Sequence, residues 1–159
     1  MLLSHSSQTK KDMRPKGSTP EYITDRDHAL LKAYKRVMTE RTQLHWREIV
    51  RRSVDSPCER FWVSEKQAII VMREMLAGKT TNVRTDIKRK MYDEIHQRVV
   101  KLLTDRPDTS LSDAVFQVIH SPAPKFYLSE KSAYVIIQRT KKKCFEERKR
   151  KLRRFLQGQ

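Results

Sequence analysis

Apolar residues recur at helical spacing in two stretches of the same shape. Leu30, Leu31, Tyr34, Val37 and Met38 follow a Thr24 placed to cap them, and Tyr92, Ile95, Val99, Leu102 and Leu103 follow Thr85 in the same way. Each set predicts a long helix. A shorter one comes next in both: Trp46, Ile49, Val50 and Val54 in the first stretch, and Leu111, Ala114, Val115, Val118 and Ile119 in the second, behind a Ser110 cap with Asp113 in its first turn. Both short helices run into a Ser-Pro pair, where the residue before proline is pushed out of the helical region. An extended aromatic connector follows, Arg60-Phe-Trp-Val or Lys125-Phe-Tyr-Leu. Ser64 or Ser129 then caps a third helix, with Gln67 completing a capping box in the first copy and Ser132 standing there in the second. The first of these third helices carries Ala68, Val71, Met72, Met75 and Leu76 on one face and stops near Gly78; the second carries Ala133, Ile136 and Ile137 and can run on into the C-terminal residues.

The likeness of the two stretches is a duplication. At a gapless offset of 65 residues, Ser56/Ser121, Pro57/Pro122, Phe61/Phe126, Ser64/Ser129, Glu65/Glu130, Lys66/Lys131 and Ala68/Ala133 are identical, and Trp62/Tyr127 and Val63/Leu128 keep their chemical type. A repeat of this length fixes unit boundaries that propensity alone would blur. The expected fold is therefore all-α: a flexible arm over 1–20, tandem three-helix units over 21–78 and 85–138, and a basic C-terminal helix or tail over 139–159. Three glycines in 159 residues agree with that class, since sandwiches and barrels need turn residues at short intervals.

Charge changes the picture from fold to partner. The chain holds 35 Lys and Arg against 19 Asp and Glu, a net charge of +16. A surplus of this size points to a polyanion. It is concentrated at one end: Arg139, Lys141, Lys142, Lys143, Arg148, Lys149, Arg150, Lys151, Arg153 and Arg154 face only Glu146 and Glu147. Cations at that density neutralise phosphates and release counterions without reading sequence. Phe145, Leu152, Phe155 and Leu156 run through the same segment as an apolar stripe, which would also suit a partner helix or a membrane surface.

Within the repeats, Lys66, Gln67 and Arg73, and Lys131 in the second copy, fall on the outward face of the third helices, where side chains reach base edges or phosphates. Against base reading stand the apolar runs Ala68 to Met72 and Ala133 to Ile137, which suit a core helix. Phe61 and Phe126 read as core anchors in preference to stacking platforms, Trp62 and Tyr127 as half-exposed, and Arg60 and Lys125 beside them as phosphate contacts.

Other chemistry finds little footing. The five histidines show no HExxH or HxxxH spacing, the two cysteines no CxxC pairing, and no glycine-rich loop cradles phosphate. No catalytic residue, metal ligand or cofactor is expected, and the protein reads as a non-enzyme. No run of apolar residues is long enough for a membrane span or a secretory signal, so a membrane partner is not expected and a cytoplasmic protein is.

The phrase Ser-Pro-x-x-Arg/Lys-Phe-Trp/Tyr-Val/Leu-Ser-Glu-Lys-x-Ala resembles one in small uncharacterised bacterial or phage-borne helical proteins. The order of long helix, short helix, connector and third helix resembles helix-turn-helix modules in architecture only. The resemblance implies a bacterial cell, nucleoid or virion as the setting, and no functional residue is carried over from it. The expectation is a nucleic-acid-binding protein, DNA ahead of RNA, acting mainly through phosphates. The alternative is a structural or adaptor protein with protein partners in a larger assembly such as a phage particle.

Overall fold

The computed structural model describes residues 22–40 and 43–158. The arm expected over 1–20 lies outside the described residues. The described residues form six helices: α1 (Tyr22–Glu40), α2 (Trp46–Val54), α3 (Glu65–Leu76), α4 (Asp86–Asp105), α5 (Leu111–Ile119) and α6 (Glu130–Gln157). The fold is all-α, with no strand among the described residues. Its elements recur at the offset seen in the sequence, since α2 and α5 begin and end at equivalent positions and α3 and α6 begin at equivalent ones.

Side-chain caps set most of these starts. Ser64, Thr85, Ser110 and Ser129 each take the backbone N–H of the residue three positions on, satisfying a donor that the helix leaves without an internal partner. At Ser64 this is the hydroxyl half of the expected capping box. α2 is capped by His45, at the position equivalent to Ser110, whose Nδ1 accepts from Arg47 N–H at 3.3 Å. Thr24 is not a cap. The helical backbone is already running at Tyr22, and Thr24 sits exposed inside the first turns of α1.

The ends of the third helices differ for one residue's sake. α3 stops at Ala77 because Gly78 takes a left-handed φ of +68°, where glycine has no Cβ to clash, and Lys79 N–H returns to Glu74 O. The equivalent position in the second copy is Lys143, and there the helix continues. The third helix of the second copy and the basic C-terminal segment are continuous: α6 is one helix of 28 residues, about 42 Å long at 1.5 Å per residue.

The packing corrects the expectation of two consecutive units. α1 and α2 pack on each other and on α6, whereas α4 and α5 pack on each other and on α3. Each helix pair thus receives its third helix from the other copy. The connectors make the crossing. Cys58 and Ala123 exchange both backbone N–H···O bonds at 3.0 Å as an isolated antiparallel bridge, Phe61 N–H bonds Ile119 O, and Phe126 N–H bonds Val54 O. These bonds are reciprocal under the 65-residue offset, so the two connectors are related by a pseudo-two-fold through the bridge. Residues 56–63 contain no glycine for a tight reversal; they bend on either side of the Cys58 bridge to their counterpart, and Val63 N–H turns back to Phe61 O.

One hydrophobic core runs through both groups, from Leu30, Val50 and Ile137 to Phe61, Met72, Ile95 and Val115. Phe61 and Phe126 are buried in it, as expected of anchors, although Phe61 lies across the chain from its own helices: its ring stacks on Tyr127 at 6.1 Å and sits 5.0 Å under the Arg98 guanidinium of α4. Trp62 and Tyr127, expected to be half-exposed, are both buried at 8% relative exposure, because each crossing connector roofs the other. The Trp62 indole Nε1–H is buried without a hydrogen-bond partner. Leu76 and Trp46 go the other way and are each 43% exposed.

Candidate nucleic-acid interface

α6 has two parts. Through Thr140 it is a core helix, burying Ala133, Ile136, Ile137 and Thr140 against α1 and α2. Past Cys144 nearly every residue is exposed, and Phe145, Leu152, Phe155 and Leu156 are 59–66% exposed. The second half therefore stands out from the described body as a lone helix. Its own backbone hydrogen bonds and the first, packed half hold it in register.

The cations are not spread evenly around this helix. At 100° per residue, Arg139, Lys142, Lys143, Lys149, Arg150, Arg153 and Arg154 fall within an arc of about 140° that also holds Glu146, while Phe145, Leu152, Phe155 and Leu156 fall on the other side with Lys141 and Arg148 among them, and Lys151 lies between the two. The basic face extends about 22 Å from Arg139 to Arg154, a length of duplex that carries roughly 13 phosphate charges.

Two members of the basic run are committed to the body. Arg139 Nη2 lies 2.9 Å from Oδ2 of the buried Asp27, whose Oδ1 accepts from Arg26 at 2.8 Å, and Lys141 Nζ lies 4.3 Å over the Tyr34 ring. Arg26, Asp27, His28, Arg139 and Lys143 line an open cleft of about 420 Å³ where α6 leaves α1, with three permanent cations to one carboxylate. Arg26 carried no signal in the sequence, since it joins the cluster only through the packing of α1 on α6.

Of the residues expected near the connectors, Arg60 and Lys125 make contacts within the fold. The Arg60 guanidinium donates to Phe61 O and Val63 O and lies 5.7 Å over Trp62. Burial lowers its pKa, against opposing pulls from Tyr22 and Asp25. Lys125, half-buried, lies 5.5 Å over Tyr127. Lys66, Gln67 and Arg73 are exposed on α3, and Gln67 lines a cleft with Glu74, Arg84 and Lys88. Because α3 packs with α4 and α5, this set sits on the other three-helix group from α6 and is not brought together with the basic helix. Lys131 is exposed in the first turn of α6.

No family model matches the chain, and no curated protein and no solved structure matches it. Among the described residues no three His, Cys, Asp or Glu side chains cluster as a metal site requires. No described helix is long and apolar enough to cross a membrane.

The aromatic side chains exposed on the body lie outside the connectors, Phe116 on α5 among them at 4.3 Å from the His120 ring. Trp46, the first residue of α2, and Tyr134 on α6 lie with ring centroids 4.7 Å apart, and the His45 ring lies 5.6 Å from Trp46. Trp46 read as a core residue from its spacing with Ile49 and Val50, and Tyr134 lay inside an apolar run. Their pairing arises only because α6 crosses to α2.

Proposed function

We propose that this protein binds nucleic acid without catalysing a reaction on it, gripping phosphates with the basic face of α6. The observation that carries the reading is the gathering of Lys142, Lys143, Lys149, Arg150, Arg153 and Arg154, with Glu146 the one acid among them, on one side of a helix whose second half stands out from the described body. Such a face offers charge at intervals of a few ångströms along a line, which matches a polyanion and no small ligand. Affinity arises from counterion release and is indifferent to sequence. DNA is the favoured polymer over RNA, and α3 adds at most a weak preference, because Lys66, Gln67 and Arg73 lie on the other group. A bacterial cell, its nucleoid or a virion is the proposed setting.

Titration of the intact chain against a mixed-sequence duplex tests this. The expected result is tight binding at about 50 mM salt that weakens steeply and linearly on a log–log scale toward about 200 mM. Absence of binding at the lower salt sinks the reading.

The exposed stripe of Phe145, Leu152, Phe155 and Leu156 favours a second reading, in which α6 docks on a partner in a larger assembly such as a phage particle and the protein is an adaptor. Changing Leu152 and Phe155 to Ser separates the two. Duplex affinity survives that change if the basic face does the binding, and the adaptor reading gains if assembly is lost while duplex binding is weak throughout.

A further inference from the structure

The paired rings of Trp46 and Tyr134 serve no need of the fold. Their equivalents in the other half of the pseudo-two-fold are Leu111 and Ile69, both half-buried, which fill the matching junction of α5 and α3 with aliphatic chains alone. The architecture is thus complete without aromatics here. Yet Trp46 remains 43% and Tyr134 39% exposed, a poor use of large rings if burial were their purpose.

Cations surround them. The Arg47 guanidinium lies 5.4 Å from the Trp46 ring centroid, and Arg47 and Lys131 line, with Val50, Glu130 and both rings, an open hollow of about 280 Å³. That volume is below the range of pockets that enclose a whole small molecule, so the hollow suits a flat group laid against a ring. Two cations against one carboxylate favour an anionic neighbour to that group. A planar ring attached to a phosphodiester is an unpaired nucleotide within a strand, and stacking on exposed aromatics beside a positive groove is how such bases are held irrespective of identity. Tyr134 also lies on α6, about 10 Å along the axis from Lys141 and at nearly the same azimuth as Lys141 and Arg148, so a strand stacked here must wrap around the helix to reach its basic face.

We infer that Trp46 and Tyr134 form a stacking platform for an unpaired base of a single strand, DNA or RNA, flanked by Arg47 and Lys131. This rests on the nucleic-acid reading above and deepens it: the protein would engage single-stranded segments through the platform while α6 grips phosphates of either form.

The test uses the full-length chain with oligothymidylate, oligouridylate and a duplex. Trp46→Leu and Tyr134→Ile install the residues that the other half already accommodates, which protects the fold. The expected result is a loss of single-strand affinity of about 5- to 150-fold for either change, with duplex affinity unaltered. Tyr134→Phe, which keeps the ring, retains the affinity, and Trp46 fluorescence of the unaltered chain is quenched on adding either oligonucleotide. If both aliphatic variants bind single strands as well as the unaltered protein, while Ala at Lys142 and Lys143 weakens binding of both polymers, the platform is overturned and phosphate binding by α6 stands. If the unaltered chain binds neither strand nor duplex, the nucleic-acid reading fails and takes the platform with it.

Discussion

Phe61→Ala probes the crossing of the connectors. The ring is fully buried, and deleting a buried Phe costs about 3–5 kcal/mol, the larger values arising where neighbours cannot collapse into the space. Collapse is restricted here. One face of the ring is taken by Tyr127 and the guanidinium of Arg98 lies over it, itself held by Glu94, Ser121 Oγ and Pro122 O. A loss of about 4 kcal/mol is therefore expected, which in a chain of this size lowers Tm by about 8–16 °C. The decisive quantity is the coupling. In a double-mutant cycle, Phe61→Ala combined with Arg98→Met should be less damaging than the two losses added, by about 0.5–2 kcal/mol, because the cation–π contact is lost only once. Combined with Val37→Ala on α1, a buried position of its own copy, Phe61→Ala should be additive within about 0.5 kcal/mol. Urea unfolding of the singles and doubles supplies all the terms. Coupling to Val37 with additivity toward Arg98 would refute the crossed fold.

Three further outcomes are expected. Replacing Lys141, Lys142 and Lys143 by Ala should reduce the salt dependence of duplex binding by about 1.8 log units per decade, since Lys141 is engaged with Tyr34 and two free phosphate contacts are lost at about 0.9 each; the affinity gap to the unaltered chain then narrows roughly tenfold between about 50 and 200 mM salt, and an unchanged slope refutes the assignment. Trp62→Phe deletes the buried indole N–H but also the packing of its second ring and part of the contact with Arg60, so a net loss of about 1–2 kcal/mol is expected in urea unfolding, and no loss would count against close packing of the indole. Burial pushes the Cys58 thiol up from 9.0 to about 11, and the thiol proton lies between the carbonyls of Arg60 and Lys125. The folded chain keeps this proton while the unfolded chain releases it, so stability falls as pH rises from about 9 to 11, by on the order of 2 kcal/mol. Urea midpoints across that window should fall less in Cys58→Ala, and equal slopes would count against the shift.

Local structure was legible because it is written in local chemistry. Four of the caps are Ser or Thr ahead of an apolar run, whereas the His45 cap had no such signature. The contrast of Gly78 with Lys143 shows why one third helix stops and the other runs on. The crossing could not be read. In a duplicated sequence α1–α2 and α4–α5 present matching apolar faces, and α3 and α6 present matching stripes, so own and exchanged packing satisfy the same pattern. Its consequences were hidden with it: the roofing of Trp62 and Tyr127, the meeting of Trp46 with Tyr134, and the joining of Arg26 to Arg139 through Asp27. The basic run of α6 was visible from composition, and its one-sided arrangement follows from the helix continuing past Thr140.

The central claim, that one face of α6 carries the nucleic-acid contacts, is tested most directly by lysine-modification protection of the intact chain with and without a bound duplex. The expected result is that Lys142, Lys143 and Lys149 lose reactivity in the complex, while Lys35, Lys79, Lys88 and Lys90, exposed elsewhere on the body, react as before. Protection confined to those body lysines, with α6 still reactive in a fully formed complex, would contradict it.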